Sequence, residues 1–153
     1  MFDLEGKTAL VTGATGGIGG AIAKQLHDRG ATIVASGTRA GKLDELAAAL
    51  GERCHAVAAD LSDPEAPDAL IAGAIEAAGS VDILINNAGL TRDNLAMRMK
   101  DEEWQQVIDV NLTSAFRLTR ASLRGMMKAR WGRIVTVTSV VGATGNPGQA
   151  NYA

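Results

Sequence analysis

The sequence has a single cysteine, Cys54, so no disulfide can form within the chain. That fits a reducing compartment, and a cytoplasmic location is expected. Excess charge is also lacking: 15 Lys and Arg against 17 Asp and Glu leave a net −2. A chain so close to neutral has no electrostatic pull toward nucleic acid or an anionic membrane, and neither is expected as a partner. Apolar residues make up 46%, but no apolar run approaches the ~20 residues a membrane-spanning helix needs. The opening MFDLEGK carries acids and no long apolar stretch, so it does not read as a secretory leader. The two histidines, His27 and His55, stand apart from any metal-like spacing, and no metal is expected. With no linker and no internal repeat, residues 1–153 read as one domain, long enough to bury a real core.

What is present is alternation. Short, β-branched runs at 7–12, 31–36, 54–60, 81–87 and 132–139 read as strands. Helical patterns lie between them. Ile18, Ile22 and Leu26 recur every fourth residue in the first, and residues 40–50 form the second, closed by Gly51. The third opens on SDPE, with Ser62 as expected N-cap, Pro64 in the first turn and Glu65 at the capping-box position; it ends at Gly79. The fourth runs from about Asp101 to Ala129, with Trp104, Val107, Ile108, Leu112, Ala115 and Leu118 on one apolar face. Strands apolar on both faces belong under helices. The expected fold is therefore an α/β doubly wound parallel sheet in three layers, α/β/α, with strand order 3-2-1-4-5. Ligands in such sheets bind beyond the strand carboxyl ends, where the order reverses, here between the first and fourth strands.

Those two strands end in TGATGGIG and NNAG. Gly13, Gly17 and Gly19 sit between a strand and a helix, where the chain must turn sharply and a phosphate could approach the backbone. The spacing GxxxGxG reads as a dinucleotide loop; the plain alternative is a glycine-rich turn. Just past the second strand, where NAD binders place an acid, stands Gly37, and Thr38 and Arg39 follow. Arg39 could meet a 2′-phosphate, which favours NADP over NAD, or it could be a solvated residue at a helix start. Asp60, ending the third strand, could accept from an adenine amino group or serve as a turn residue. Asn111 falls on the apolar face of the long helix and must satisfy either a structural need or a site. Ser139 ends the fifth strand, either as a cap or at the ligand edge. Tyr152 follows thirteen residues later, in PGQANYA, where a further helix is expected to begin.

Together TGATGGIG, NNAG, Asn111, Ser139 and Tyr152 resemble the short-chain dehydrogenase/reductase family, with its Rossmann-like fold. TRDNLAMRMKDEEW and SVVGATGNPGQANYA resemble, more narrowly, the bacterial 3-oxoacyl-[acyl-carrier-protein] reductases, and the likeness runs from Leu4 to Ala153. The resemblance implies NADPH as cofactor. Gly13, Gly17 and Gly19 would shape its loop, with Ala14, Thr15 and Gly16 on the phosphate side and Ile18 beside them. Thr38 and Arg39 would hold the 2′-phosphate region, Asp60 and Leu61 would flank the adenine, and Asn87, Ala88 and Gly89 the nicotinamide-side ribose. Ser139 would bond the substrate carbonyl, Tyr152 would give the proton and touch both substrate and cofactor, and Asn111 would hold a relay water. Arg130 would meet the acidic acyl carrier protein, and a homotetramer is expected.

The chemistry implied is ketone reduction. A ketone takes hydride only as its oxygen gains charge, which two hydroxyl donors stabilise while one supplies a proton. The family tunes its tyrosine with a lysine one helical turn later, beyond Ala153, and the last two strands of its sheet also lie beyond that point. The expectation is that these 153 residues are the N-terminal part of a longer reductase and have negligible activity alone; the alternatives are a nucleotide-binding module without catalysis, or an assembly fragment that completes its sheet with another chain. Gly16 departs from the basic residue that many NADP-using relatives carry there. Whether the thioester is on a carrier protein or coenzyme A is left open by the residues.

Overall fold

The computed structural model describes residues 3–153. Five strands, β1 (Thr8–Val11), β2 (Thr32–Gly37), β3 (Cys54–Ala58), β4 (Ile83–Asn86) and β5 (Arg133–Thr136), form one sheet in the order β3-β2-β1-β4-β5. All four pairings are parallel. The doubly wound order is the one expected, and β1 and β4 meet at its centre, with Val11 beside Ile85. β1, β3, β4 and β5 are shorter than their apolar runs, because the flanking residues leave the sheet to turn, while β2 keeps six residues one position later.

Side-chain alternation along the strands divides the core in two. Ala9, Val11, Ile33, Ala35, Ile83 and Ile85 point to one face, toward Ala23 of helix α1 (Gly17–Asp28) and Leu43 of α2 (Ala40–Leu50). Leu10, Val34 and Leu84 point to the other, toward Leu70, Ile71 and Ala74 of α3 (Ala66–Ala78) and Leu118 and Met126 of α5 (Ser114–Ala129). Leu10, Val34 and Leu84 are fully buried. Each removes from water apolar surface worth about 1.5–3 kcal/mol, and that pins the register.

Three local expectations need correction. Ser62 does not cap α3: its hydroxyl donates to Asp60 Oδ1 at 2.7 Å, and the helix starts at Ala66 with Pro67 in its first turn. Asp63, whose Oδ1 accepts from Glu65 N–H at 2.9 Å, shapes the approach instead. The long helix is not continuous. It divides into α4 (Asp101–Ile108), a π-helical turn (Asp109–Thr113) and α5, with the Ser114 N–H reaching back to the Asp109 carbonyl. Its buried stripe is Val107, Val110, Ser114, Leu118, Ser122 and Met126, while Trp104 and Leu112 are exposed. Ser114 and Ser122 bury cheaply because their hydroxyls donate to carbonyls of their own helix, at 2.6 and 2.9 Å.

β5 is an edge strand whose residues are exposed throughout, unlike the covered β1, β2 and β4. Beyond it lies the short α6 (Val141–Thr144), followed by turns through Tyr152, not a full helix. The Ala153 N–H bonds the Gln149 carbonyl at 2.9 Å, a single helix-like turn. Among the described residues no helix is long and apolar enough to cross a membrane.

Candidate active site

The site is built where β1 and β4 end side by side. Thr12 joins them: its Oγ1 donates to the Ile85 carbonyl at 3.1 Å and accepts from the N–H groups of Asn87 and Ala88, each at 3.0 Å. Asn87 returns the connection, with Nδ2 donating to the Thr12 carbonyl at 2.9 Å and to the Gly13 carbonyl at 3.3 Å. The glycine loop and the NNAG turn are thus one hydrogen-bonded unit. Sequence reasoning passed over Thr12 because an apolar strand pattern hides a buried hydroxyl. Its place directly before the first glycine was the available signal.

Close packing explains two of the glycines. Gly13 has φ +64°, and a side-chain carbon there would lie 2.9 Å from Asn87 Nδ2. One at Gly19 would collide with the Gly13 carbonyl oxygen and with Asn87. The loop therefore folds tightly enough for α1 to start at Gly17, leaving the first-turn N–H groups of residues 17–19 without intrahelical partners. Those groups and the positive helix end face a cleft of about 570 Å³, a setting suited to a phosphate. The cleft is lined by Gly13, Thr15 to Gly19, Gly37 to Arg39, Asp60, Leu61 and Asn87 to Gly89. Ala14 does not line it. Ala14 is buried and its N–H donates to the Ser36 carbonyl at 2.9 Å, so it fastens the loop to β2.

At the cleft's outer end Arg39 lies over Thr15, with Nη2 donating to its Oγ1 and its carbonyl. A side-chain carbon on Gly37 would stand 3.3 Å from Thr15 Oγ1, so an acid at that position would crowd the Thr15 side chain. Asp60 accepts from both the N–H and the hydroxyl of Ser62, at 3.0 and 2.7 Å. These bonds favour the carboxylate and hold its pKa below the ordinary range. Asp60 is therefore a turn residue in this structure, with its carboxylate at the cleft wall.

A second cleft of about 680 Å³ shares the wall formed by Ile18, Asn87, Ala88, Gly89 and Leu90. Asn111, Ser139 and Tyr152 all line it, so the structure brings together the three groups singled out for chemistry. Asn111 is committed to structure: Nδ2 donates to the Leu90 carbonyl and Oδ1 accepts from the Leu90 N–H, both at 2.9 Å. The π-helical turn carries Asn111 to this position. Ser139 Oγ accepts from the Val141 N–H at 3.2 Å, a turn contact that leaves its own proton free to donate. Tyr152 is half-buried. Arg130 does not join the group. It ends α5 in a left-handed conformation just before β5, while Ser139 follows that strand, so the two lie at opposite ends of β5.

Two buried asparagines were also missed. Asn86 Nδ2 reaches Thr119 and Thr136 hydroxyls at 3.4 Å, and Asn151 Nδ2 reaches the Arg92 and Glu103 carbonyls at 2.8 and 3.2 Å. Each Oδ1 is buried with no donor among the described residues. Leaving such an atom unmet costs about 1–3 kcal/mol.

A strand–glycine loop–helix unit, NNAG at the neighbouring strand end and a serine–tyrosine pair in the adjoining cleft make a combination that can be compared. Residues 7–153 match the short chain dehydrogenase family. The chain belongs to that family. Its relatives include the 3-oxoacyl-[acyl-carrier-protein] reductases of Vibrio cholerae, 52% identical, and Escherichia coli, 50% identical, and the nodulation protein G of a Rhizobium species, 54% identical. Each match covers 99% of this chain and 62% of the relative. The chain thus spans about three fifths of the length of these short chain dehydrogenase relatives.

Proposed function

We propose that the chain carries the cofactor site and the proton-donating group of an NADPH-dependent reductase acting on 3-oxoacyl thioesters. The supporting observation is the shared wall. A cleft fit for a dinucleotide and a cleft holding Ser139 and Tyr152 meet along Ile18 and Asn87 to Leu90. The residues fit the cofactor: free helix N–H groups face the cleft, and a guanidinium stands at its outer end where NAD binders would place an acid. When bound, the nicotinamide supplies hydride.

The protein's own residues do the rest. Gly13 and Gly19 let the loop close, and Thr12 with Asn87 keeps it aligned with the NNAG turn. Ser139 donates to the ketone oxygen as charge develops there, and Tyr152 donates the proton that completes the alcohol. Asn111 holds Leu90, and with it the shared wall. The names of the relatives support a carrier-protein thioester as substrate in fatty acid synthesis. Arg130, exposed and far from the reacting groups, suits contact with the carrier protein and not with the thioester itself. The exposed strip Leu112, Phe116, Leu123 and Met127 suits burial between subunits of the proposed tetramer.

NADPH fluorescence titration, followed by reduction of acetoacetyl thioesters on carrier protein and on coenzyme A by the intact natural enzyme, tests this. Saturable NADPH binding with turnover of the carrier-protein thioester is expected. Binding without turnover of either thioester would reduce the reading to a nucleotide-binding module.

A further inference from the structure

Asn151 is the buried residue of an otherwise exposed or half-buried segment, with 6% of its surface accessible. Its Nδ2 donates to two main-chain carbonyls, of Arg92 at 2.8 Å and of Glu103 at 3.2 Å. Those carbonyls dictate how the amide faces, since the reversed amide would set Oδ1 against two oxygens. In the orientation adopted, Oδ1 is buried and meets no donor among the described residues. A buried amide whose Nδ2 grips two main-chain carbonyls immediately before Tyr152 points to a geometric task served by that group.

Both anchors are themselves fixed. Glu103 Oε2 accepts from the Lys100 N–H at 2.8 Å and from Asn94 Nδ2 at 3.1 Å, which fastens the start of α4. The Asn94 N–H in turn donates to the Gly148 carbonyl at 2.9 Å. The Arg92 guanidinium bonds Gln106 Oε1 at 2.7 Å, a further tie to α4. The remaining side-chain link across this junction, Gln149 Nε2 to the Asp93 carboxylate at 3.1 Å, is exposed and open to competition from water.

We infer that Asn151 is a positioning residue: by gripping the Arg92 and Glu103 carbonyls it fixes the backbone that carries Tyr152, and so sets where the phenol stands in the cleft. The inference rests on reading Tyr152 as the proton donor. It assigns the Asn151 side chain no contact with substrate or cofactor.

Tyr152 is the only tyrosine among residues 1–153, and in selectively labelled intact enzyme a Tyr152→Phe sample identifies the ring resonances that report on it. Trp131, packed against the core on the α1–α2 face with Lys7 4.3 Å from its ring centre, reports on the fold. Asn151→Asp keeps the shape and removes the donor; Asn151→Ala removes both. Both variants are expected to shift or broaden the Tyr152 ring signals and leave the Trp131 indole signal in place. In the intact enzyme kcat should fall about 10–100-fold, as expected for a slightly misplaced group, with KM and NADPH affinity within about twofold. Unmoved Tyr152 signals, or equal movement at Trp131, would overturn the inference, as would loss of NADPH affinity in step with kcat. No turnover by the unsubstituted enzyme would sink the reductase reading, while the Tyr152 signals would still decide this one.

Discussion

The Arg39 guanidinium is fastened to Thr15, with Nη2 2.9 Å from both Thr15 Oγ1 and the Thr15 carbonyl and Nε 3.2 Å from Oγ1. A guanidinium held over the glycine loop is placed to pair with a phosphate at the cleft's outer end. Arg39→Asp is expected to lower the NADPH-to-NADH ratio of kcat/KM by about 10–100-fold, the worth of a charge-assisted bond. An unchanged ratio would show that Arg39 does not read the phosphate. Thr15→Val, which removes the hydroxyl partner but keeps the carbonyl, should give a smaller shift in the same direction.

Gly19 has no room for a side chain because the Gly13 carbonyl and Asn87 occupy that space. Gly19→Ala must push the loop away from the NNAG turn. We expect a stability loss of about 1–3 kcal/mol by denaturant titration, together with weaker NADPH binding. Gly17→Ala is the control, since a carbon there meets nothing within 4 Å. Similar losses from both variants would contradict the steric account.

Tyr152→Phe removes a hydroxyl and little else. In the intact enzyme kcat should fall by about 10²–10⁴-fold, the range for a lost general acid. NADPH affinity should hold, because the glycine loop and Arg39 are untouched. Retention of most of the activity would exclude Tyr152 as the proton donor.

Two carboxyls make stability depend on pH at the acid end. Asp60 is held below its ordinary pKa by the Ser62 N–H and hydroxyl, and Glu103 by the Lys100 N–H and the Asn94 amide. A depressed folded-state pKa means that the contribution is present above the ordinary carboxylate range and is lost as pH falls below about 4. Asp60→Asn should therefore flatten the acid limb of a stability-versus-pH curve and barely change its slope above pH ~5. An identical acid limb in the variant would show that Asp60 does not contribute.

Much of this arrangement was legible in the sequence because it rests on local rules. The alternation of β-branched runs and 3.6-period stretches gave five parallel strands in the order 3-2-1-4-5. Glycine positions marked the loop because backbone contacts at Gly13 and Gly19 exclude anything larger. Ser139, Asn111 and Tyr152 line one cleft, a grouping that the family resemblance implied and that spacing alone did not. Buried polar connections were not legible. Thr12, Ser114, Ser122, Asn86 and Asn151 are all buried, but their partners lie across the fold or in their own helix, so apolar periodicity passes over them. The N-cap of α3 was misplaced for a related reason: in SDPE several side chains can satisfy the same free N–H groups, and Asp60 had already engaged Ser62.

The π-helical turn Asp109–Thr113 bears on how this protein can change in length. Surface loops usually absorb a gained or lost residue without harm. Here the wide turn already holds one residue more than ordinary α-helix would over the same rotation. One residue fewer would let it rewind as α-helix while α4 and α5 keep their faces, because the extra residue's rotation of about 100° is what the turn absorbs. The cost should be local, falling on the hold of Asn111 on Leu90. The same deletion within α5 has no such slack and would swing the residues beyond it by about 100°, turning Leu118 and Ser122 away from α3.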